Sequence, residues 1–407
     1  MSVTSLRLPP AVPSAPAAVP AVVPAVDPRA AYQERYDDWD RLLSRFDRRD
    51  VRFVRIRTTL FIVALGMFVL CLGEGGRVSW WWMLLPIAGF IGILPFHQRL
   101  LRQQETARSA RSFHAGRLAR LDQQFPEGGD DGAAFCDDLH PWASDLDLFG
   151  PGSLFQLLNE CRTQPGRKQL ANWLTTVVDA DEIHRRQART RALQSKLTLR
   201  EQLACVPDSA DWQQAGRVLH DWVRQPARLM PWWVLIWSLT VGAAFVASMV
   251  LVLCEVLPVS AALLMPVLQI PAVFATHKQI RDTAQQMDDA DSALRQFGQV
   301  IEVFERHPVD EPAVRDLQNR FLTESDSASS AIRKLSRLIA WQNNATRNQF
   351  FAVFAWGCGL FVLLTQRLEL WRARHGRDVT DWLETAAILE AAVSVGGYCF
   401  DHPHDCL

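Results

Sequence analysis

The side chains best suited to chemistry crowd the end of the chain. Cys399, His402, His404 and Cys406 form a Cys-x-x-His-x-His-x-Cys cluster, and thiolate with imidazole suits zinc. The i, i+2 spacing is too crowded for an easy tetrahedron, so no metal site is expected there. His140 precedes Pro141 without a Ser or Cys nucleophile pattern beside it and reads as structural. Two acidic clusters, Asp37, Asp38 and Asp40 and then Asp288, Asp289 and Asp291, fall on helix faces expected to be solvated. Acid–base work would require them to be buried. The only four lysines are Lys168, Lys196, Lys278 and Lys334, and none follows a glycine. This chain therefore has no Walker-type phosphate loop. No catalytic residue and no cofactor are assigned to it, and it is not expected to be an enzyme by itself. With 43 basic and 44 acidic residues, it has no chain-wide basic field for nucleic acid. The eight cysteines lack any Cys-x-x-Cys. Cys71, Cys254 and Cys358 lie in apolar runs and read as small buried hydrophobes in a reducing compartment.

The elements that would carry these residues begin with a tail, 1–30, whose prolines at 9, 10, 13, 16, 20, 24 and 28 favour extended chain. A charged helix is expected over 31–57. Four nearly uncharged apolar runs then stand out, at 58–73, 78–96, 229–254 and 256–276. The first is short for a hydrocarbon layer of ~30 Å and the other three are long enough. Trp80, Trp81, Trp82, Trp232 and Trp233 lie at run ends, where aromatic belts form. Short turns pair the runs into two transmembrane hairpins, 58–96 and 229–276. Arg52, Arg55 and Arg57 can snorkel beside the short run. Arg99 and Arg102 follow the first hairpin; Arg228 precedes the second, and Lys278 and Arg281 follow it. By the positive-inside rule both hairpins end in the cytoplasm. The expected location is thus the inner membrane, multi-pass, with the soluble parts cytoplasmic. The basic stretch 99–120 fits either anionic headgroups or a solvated helix face. A transporter would need polar groups inside the runs, which hold little beyond Thr, Ser and Gln269.

A fifth apolar stretch, 350–365, lies between Arg347 and Arg367 and contains Gly357 and Gly359. Crossing the membrane there would place Arg367, Arg372, Arg374 and Arg377 outside. It is read instead as one buried helix of a soluble bundle. Met287, Ala290, Leu294, Phe297, Ile301 and Phe304 form the seam of a long helix. Val314, Leu317, Phe321, Ala328, Ile332, Leu335 and Ile339 continue a second stripe beyond His307-Pro308, broken near Thr323–Ser327. No strand-length alternation persists, so the soluble part is expected to be all-α.

The stretch 138–187 is the most informative. Asp145, Asp147, Phe149, Gly150 and Gly152 mark a turn, after which Ser153 can cap a helix burying Leu154, Phe155, Leu157 and Leu158. Thr163 can cap the next, with Leu170, Trp173 and Leu174 inside. This run, with Leu157-Leu158, Arg162-Thr163, Gly166-Arg167, Trp173-Leu174 and then Ile183 and Arg186-Gln187, resembles the core domain of the MutS family of DNA mismatch repair ATPases. Arg200-Glu201-Gln202-Leu203 is similar to the end of that unit. The stretch from Leu389 to Ser394 resembles the core helix preceding the family's ATPase domain. The likeness is specific over 135–205 and looser over 280–400.

The runs and the resemblance together give an all-α fold: two transmembrane hairpins plus a MutS-like core and lever. The hairpins are not a feature of the family's mismatch-binding members and look like those of its membrane-associated bacterial branch. The expected divisions are 1–30 tail, 31–57 charged helix, 58–96 hairpin, 97–134 basic helix and linker, and 135–228 first part of the core. The second hairpin (229–276), the lever helices (277–348) and the returning core helices (349–407) follow. The apolar runs imply lipid as a partner, and the resemblance adds DNA, and an ATPase domain in trans or a second copy. ATP and magnesium would come only through that ATPase domain, which the family places beyond the position of Leu407. The family's mismatch-reading Phe-x-Glu has a counterpart only at Phe125-Pro126-Glu127, in a short loop, where no wedge is expected. The function implied is that of a membrane-anchored core-and-lever module linked to ATP-dependent binding of mismatched DNA. The alternative is a membrane scaffold that has lost DNA contact.

Overall fold

Pro28–Leu72 forms one unbroken helix, α1. Nothing at the junction of its charged and apolar halves breaks the backbone, and Thr58 and Thr59 return their hydroxyls to the Val54 and Arg55 carbonyls. The charged helix and the first apolar run are therefore one rod. Leu84–Leu121 (α2, with Pro95 inside) likewise joins the second run to the basic stretch. The computed structural model describes residues 27–72, 84–122, 130–137, 139–208, 219, 221–323, 326–347 and 349–405. Most of the tail, Trp80–82, the 74–77 turn, Phe125-Pro126-Glu127 and Cys406 lie outside them. The two helices run antiparallel, zipped by Arg29–Asp122, Asp40–Arg111 (2.8 Å) and Gln104–Asp47 (2.5 Å). Leu60 packs on Gly89 nearer their apolar ends, where Phe61 is 62 % exposed and Ile62, Leu65 and Val69 are also bare.

The other described helices are α3 (Leu154–Leu158), α4 (Gln164–Thr175), α5 (Ala180–Gln194), α6 (Leu197–Ala204) and α7 (Trp232–Leu253). Then come α8 (Val259–Leu268), α9 (Ile270–Arg306), α10 (Pro312–Asn319), α11 (Ala328–Arg347), α12 (Gln349–Gly357) and α13 (Leu360–Asp401). Among the described residues there is no strand, only one isolated bridge between Leu322 and Ser327. The fold is all-α.

Among the described residues two helices, α7 and α13, are long and apolar enough to cross a membrane. The pair α8 and the start of α9, bent by 47°, would make a third if counted as one span. The run 256–276 is thus not the straight rod that its composition predicts. Pro266 inside α8 and Pro271 at the start of α9 break it at Gln269. The α7 surface is bare at Trp232 (74 %) and Leu253 (80 %), whereas 67 % of the apolar window of α13 is buried within the protein.

The stretch 350–365 also departs from expectation. It is not one helix but the end of α12, a break at Cys358-Gly359, and the start of α13. Gly359 takes φ 65° there. Its partners are the second hairpin: Ala355, Phe361 and Val362 pack with Met230, Val234, Ala272 and Ile280. Trp356 Nε1 donates to the Pro266 carbonyl (2.9 Å).

The main core lies where α5, α6, α9, α11 and α13 meet. Leu294, Phe297, Ile301 and Phe304 of α9 are buried, while the side chains of Met287 and Ala290 lie outside the described set. Helices α9 and α11 are antiparallel, joined by Arg333–Glu302 (2.8 Å) and Ser329 N–Glu305 (3.1 Å). The second stripe divides, as its break near 323–327 predicts, into α10, which packs on α5, and α11. Asp291, expected in solvent, is buried against Arg295 and Ser336; Asp288 and Asp289 have no described side chains. Asp37, Asp38 and Asp40 lie near the surface of α1.

Candidate functional site

The turn before α3 owes its shape to left-handed backbone at Asp147 (φ 47°), Gly150 (φ 107°) and Gly152 (φ 78°). It feeds the Leu154 and Phe155 amides back to the Asp147 and Leu148 carbonyls (3.1 and 3.0 Å). Ser153 caps α3, accepting from Gln156 N. Phe149 and Phe155 meet Phe135, while Asp145 and Asp147 face solvent. Leu154, expected inside, is 38 % exposed, because the five-residue helix turns Phe155 and Leu158 inward instead. Thr163 caps α4, accepting from Gly166 N (3.1 Å). Leu170 is buried, and Trp173 and Leu174 are half-buried beside it. Arg186 of α5 lies over the Trp173 ring at 4.8 Å, so two residues of the motif meet face to face. Gln187 is half-buried on the same helix.

A carboxylate 227 residues away closes this turn. Glu390, buried on α13, accepts from Arg162 N (2.8 Å), Thr163 N (3.1 Å) and the Thr163 hydroxyl. Gly166 is required here, since a Cβ at that position would overlap the Glu390 carboxyl. Burial pushes the Glu390 pKa from 4.5 to about 6, against the hydrogen bonds from Thr163 and Arg162. Between those two values the folded state holds the extra proton, so stability falls as pH rises through this window and is flat above it. The fall amounts to about 2 kcal/mol. It is expected to appear in urea midpoints measured in detergent from pH 4.5 to 6.5, and to vanish in Glu390→Gln.

An ionic junction lies beside it. Arg200 is wholly buried, bidentate on Glu160 (2.8 and 3.2 Å) and ringed by Tyr32, Phe113 and Phe400. Arg117 pairs with Glu160 and with Asp401 (3.3 Å), and Tyr32 donates to Asp401 (2.5 Å). His114 and Arg35 converge on Glu201 at 2.7 and 3.1 Å. Burial alone would raise the Glu160 pKa, but Arg117 and Arg200 outweigh it and hold the carboxyl below its ordinary range. Helices α1, α2, α6 and the end of α13 are tied together at this point, with the 159–162 segment.

A cavity of about 930 Å³ opens next to the junction, with Arg108, Arg117, Arg120, Arg162, Arg167 and Arg200 in its wall. The basic stretch is therefore not one outward face. Arg99, Arg102 and Arg108 are exposed, but Arg111 pairs with Asp40, Arg117 is buried, and Arg120 donates to the Leu157 carbonyl (3.0 Å).

Among the described residues no group of three metal-ligating side chains forms. Cys399 is buried, and His402 packs on Tyr398 (4.6 Å) with Asp405 at 4.0 Å; His404 is exposed. Arg52, Arg55, Arg57, Arg228, Lys278 and Arg281 are exposed on their helices. Sequence reasoning passed over Glu160, Arg200, Glu390 and Asp401 as functional positions. The available signal was charge inside apolar patterning, as in Leu389-Glu390-Ala391-Ala392-Val393 and Leu199-Arg200.

Compared with protein-family models, curated proteins and solved structures, the chain has no match in any of the three.

Proposed function

We propose that the chain is a membrane-anchored core-and-lever module of the MutS kind. One juxtaposition supports this reading above all. The two separate stretches that resemble the family's core, 145–175 and 389–394, pack against each other, with Glu390 receiving the Arg162 and Thr163 amides. Helices α9 and α11 supply the lever pair. Helix α9 is one 37-residue rod, about 55 Å long, and leads from the membrane hairpin to the far end of the lever. A state set at one end of such a rod can bias packing at the other. An ATPase domain, in trans or on a second copy, would supply ATP and magnesium chemistry.

On the membrane side, α7 and the α8–α9 start form the hairpin that crosses, and the apolar ends of α1 and α2 enter lipid as well. The 349–366 segment dips in and returns. Met230 N donates to Gln366 (2.8 Å), Gly359 lies against the Ser238 carbonyl, and Phe354 meets Phe245 (6.0 Å between rings). Counted along α7 from Trp232, the turn reaches a depth of about 20 Å. Both of its ends stay on one side, so Arg367, Arg372, Arg374 and Arg377 remain cytoplasmic. The broken backbone is tolerated at that depth because protein, not lipid, covers it.

The scaffold reading has one observation in its favour: Arg111, Arg117 and Arg120 are turned onto partners within the chain. DNA affinity comes largely from neutralised phosphates. The deciding experiment is binding of matched and mismatched duplexes by the full chain in nanodiscs across a salt series. A linear fall of log K with log salt and a preference for the mismatch are expected. No binding at about 50 mM salt would replace the DNA-linked role with the scaffold.

A further inference from the structure

The arginine cavity has an unbalanced wall. Six arginines line it against Asp130, Glu160 and Asp208. Glu160 and Asp401 serve Arg117 and Arg200, Asp130 and Asp208 both serve Arg167 (3.4 and 2.7 Å), and Asp47 serves Arg108 (3.7 Å). Among the described residues this leaves Arg120 and Arg162 without a salt bridge, with Glu160 and Asp401 acting on Arg120, and Asp208 and Glu390 on Arg162, only from farther off. Arg120 donates to the Leu157 carbonyl, and Arg162 to the carbonyls of Leu203 and Ala204. Both therefore cap the carboxyl ends of short helices with part of the guanidinium and keep donors in reserve. The wholly buried Arg200 also has an Nη1 without a hydrogen-bond partner. Ser109 and Ser112 add hydroxyls to the same wall. Burial lowers the basicity of Arg120, to about 10, with Arg117 adding to the effect, and burial lowers Arg162 as well. An anion in the cavity would relieve that cost.

We propose that this cavity binds a soluble polyphosphate of nucleotide size. The volume exceeds what a single carboxylate or phosphate fills, and guanidinium forks arriving from α2, the 159–167 segment and α6 suit several phosphate oxygens at once. A lipid headgroup is excluded by distance. The wall begins at Arg108, 12 residues along α2 from Phe96, and reaches Val393, 27 residues along α13 from Gln366, so it lies about 18 to 40 Å from where those helices leave the membrane, beyond the headgroup layer. The proposal is independent of the MutS-like reading.

Calorimetry on the full chain in nanodiscs tests it, with inorganic tripolyphosphate, a nucleoside triphosphate, orthophosphate and a short DNA duplex as probes. Tripolyphosphate and the nucleoside triphosphate are expected to bind once per chain, more tightly than orthophosphate. Arg120→Gln should weaken both by about tenfold or more, the loss of one charge-assisted bond. Ser112→Glu, at an exposed position that no helix cap needs, should do the same by placing a carboxylate in the wall. Absence of polyphosphate binding at low salt, or binding indifferent to both variants, would overturn the proposal. Orthophosphate binding as tightly as tripolyphosphate would overturn it too. So would duplex DNA competing with the same sensitivity to the two variants, which would make the wall a nucleic-acid contact.

Discussion

Glu160→Ala is expected to destabilise the protein by about 3–5 kcal/mol, because it leaves buried arginine charge without its counter-ion. Glu160 takes both forks of Arg200 and one of Arg117, and Gly397 leaves no space beside it for a rearranged side chain. Urea unfolding followed by tryptophan fluorescence in detergent would read the loss. The double variant Glu160→Leu with Arg200→Met is expected to recover most of it, since Arg117 and Asp401 still balance each other. Equal losses in the single and double variants would mean that packing, not charge, holds the junction. The same carboxyl gives an acid-side signature. Its pKa is depressed in the folded state, so its contribution is present above the unfolded carboxylate range and is lost as pH falls through the folded value. Glu390 acts with the opposite sign at higher pH, so the two slopes lie in different windows.

Gly242→Leu is the second large effect. A Cβ at Gly242 would sit 2.5 Å from the Cys358 carbonyl oxygen, and no rotamer relieves a clash with backbone. Overpacking of this kind costs about 1–3 kcal/mol where side chains can yield, and the upper end is expected here. Thermal unfolding in detergent should show the shift, together with a faster reaction of Cys358 with a water-soluble maleimide. A substitution as harmless as one at the bare Leu253 would place the 349–366 turn away from α7.

How much of this was legible in the sequence depends on the range of the interaction. Caps are local: Ser153 and Thr163 accept from amides three residues on, and the residue types alone announce them. The Leu294, Phe297, Ile301 and Phe304 seam is equally local, because helical periodicity writes the buried face into the spacing. The break at Gln269 was visible in Pro266 and Pro271, but an apolar run of bilayer length hid it. The ionic junction was illegible for a different reason. Arg117 belongs by composition to a basic stretch, and only the fold brings Glu160, Arg200 and Asp401 around it from three distant places. The 350–365 stretch failed for a third reason. Charge at its two ends excluded a crossing, yet composition marks neither the break at Cys358-Gly359 nor the packing of both flanking helices on the second hairpin.

The most direct measurement is cysteine labelling in sealed vesicles of both orientations, with single cysteines at Asn344→Cys, Arg374→Cys and the native Cys358. A membrane-impermeant maleimide is expected to reach positions 344 and 374 from the same face and Cys358 from neither. Labelling of 344 and 374 from opposite faces, or free labelling of all three in a chain that needs no detergent, would contradict a helical relay seated in the bilayer.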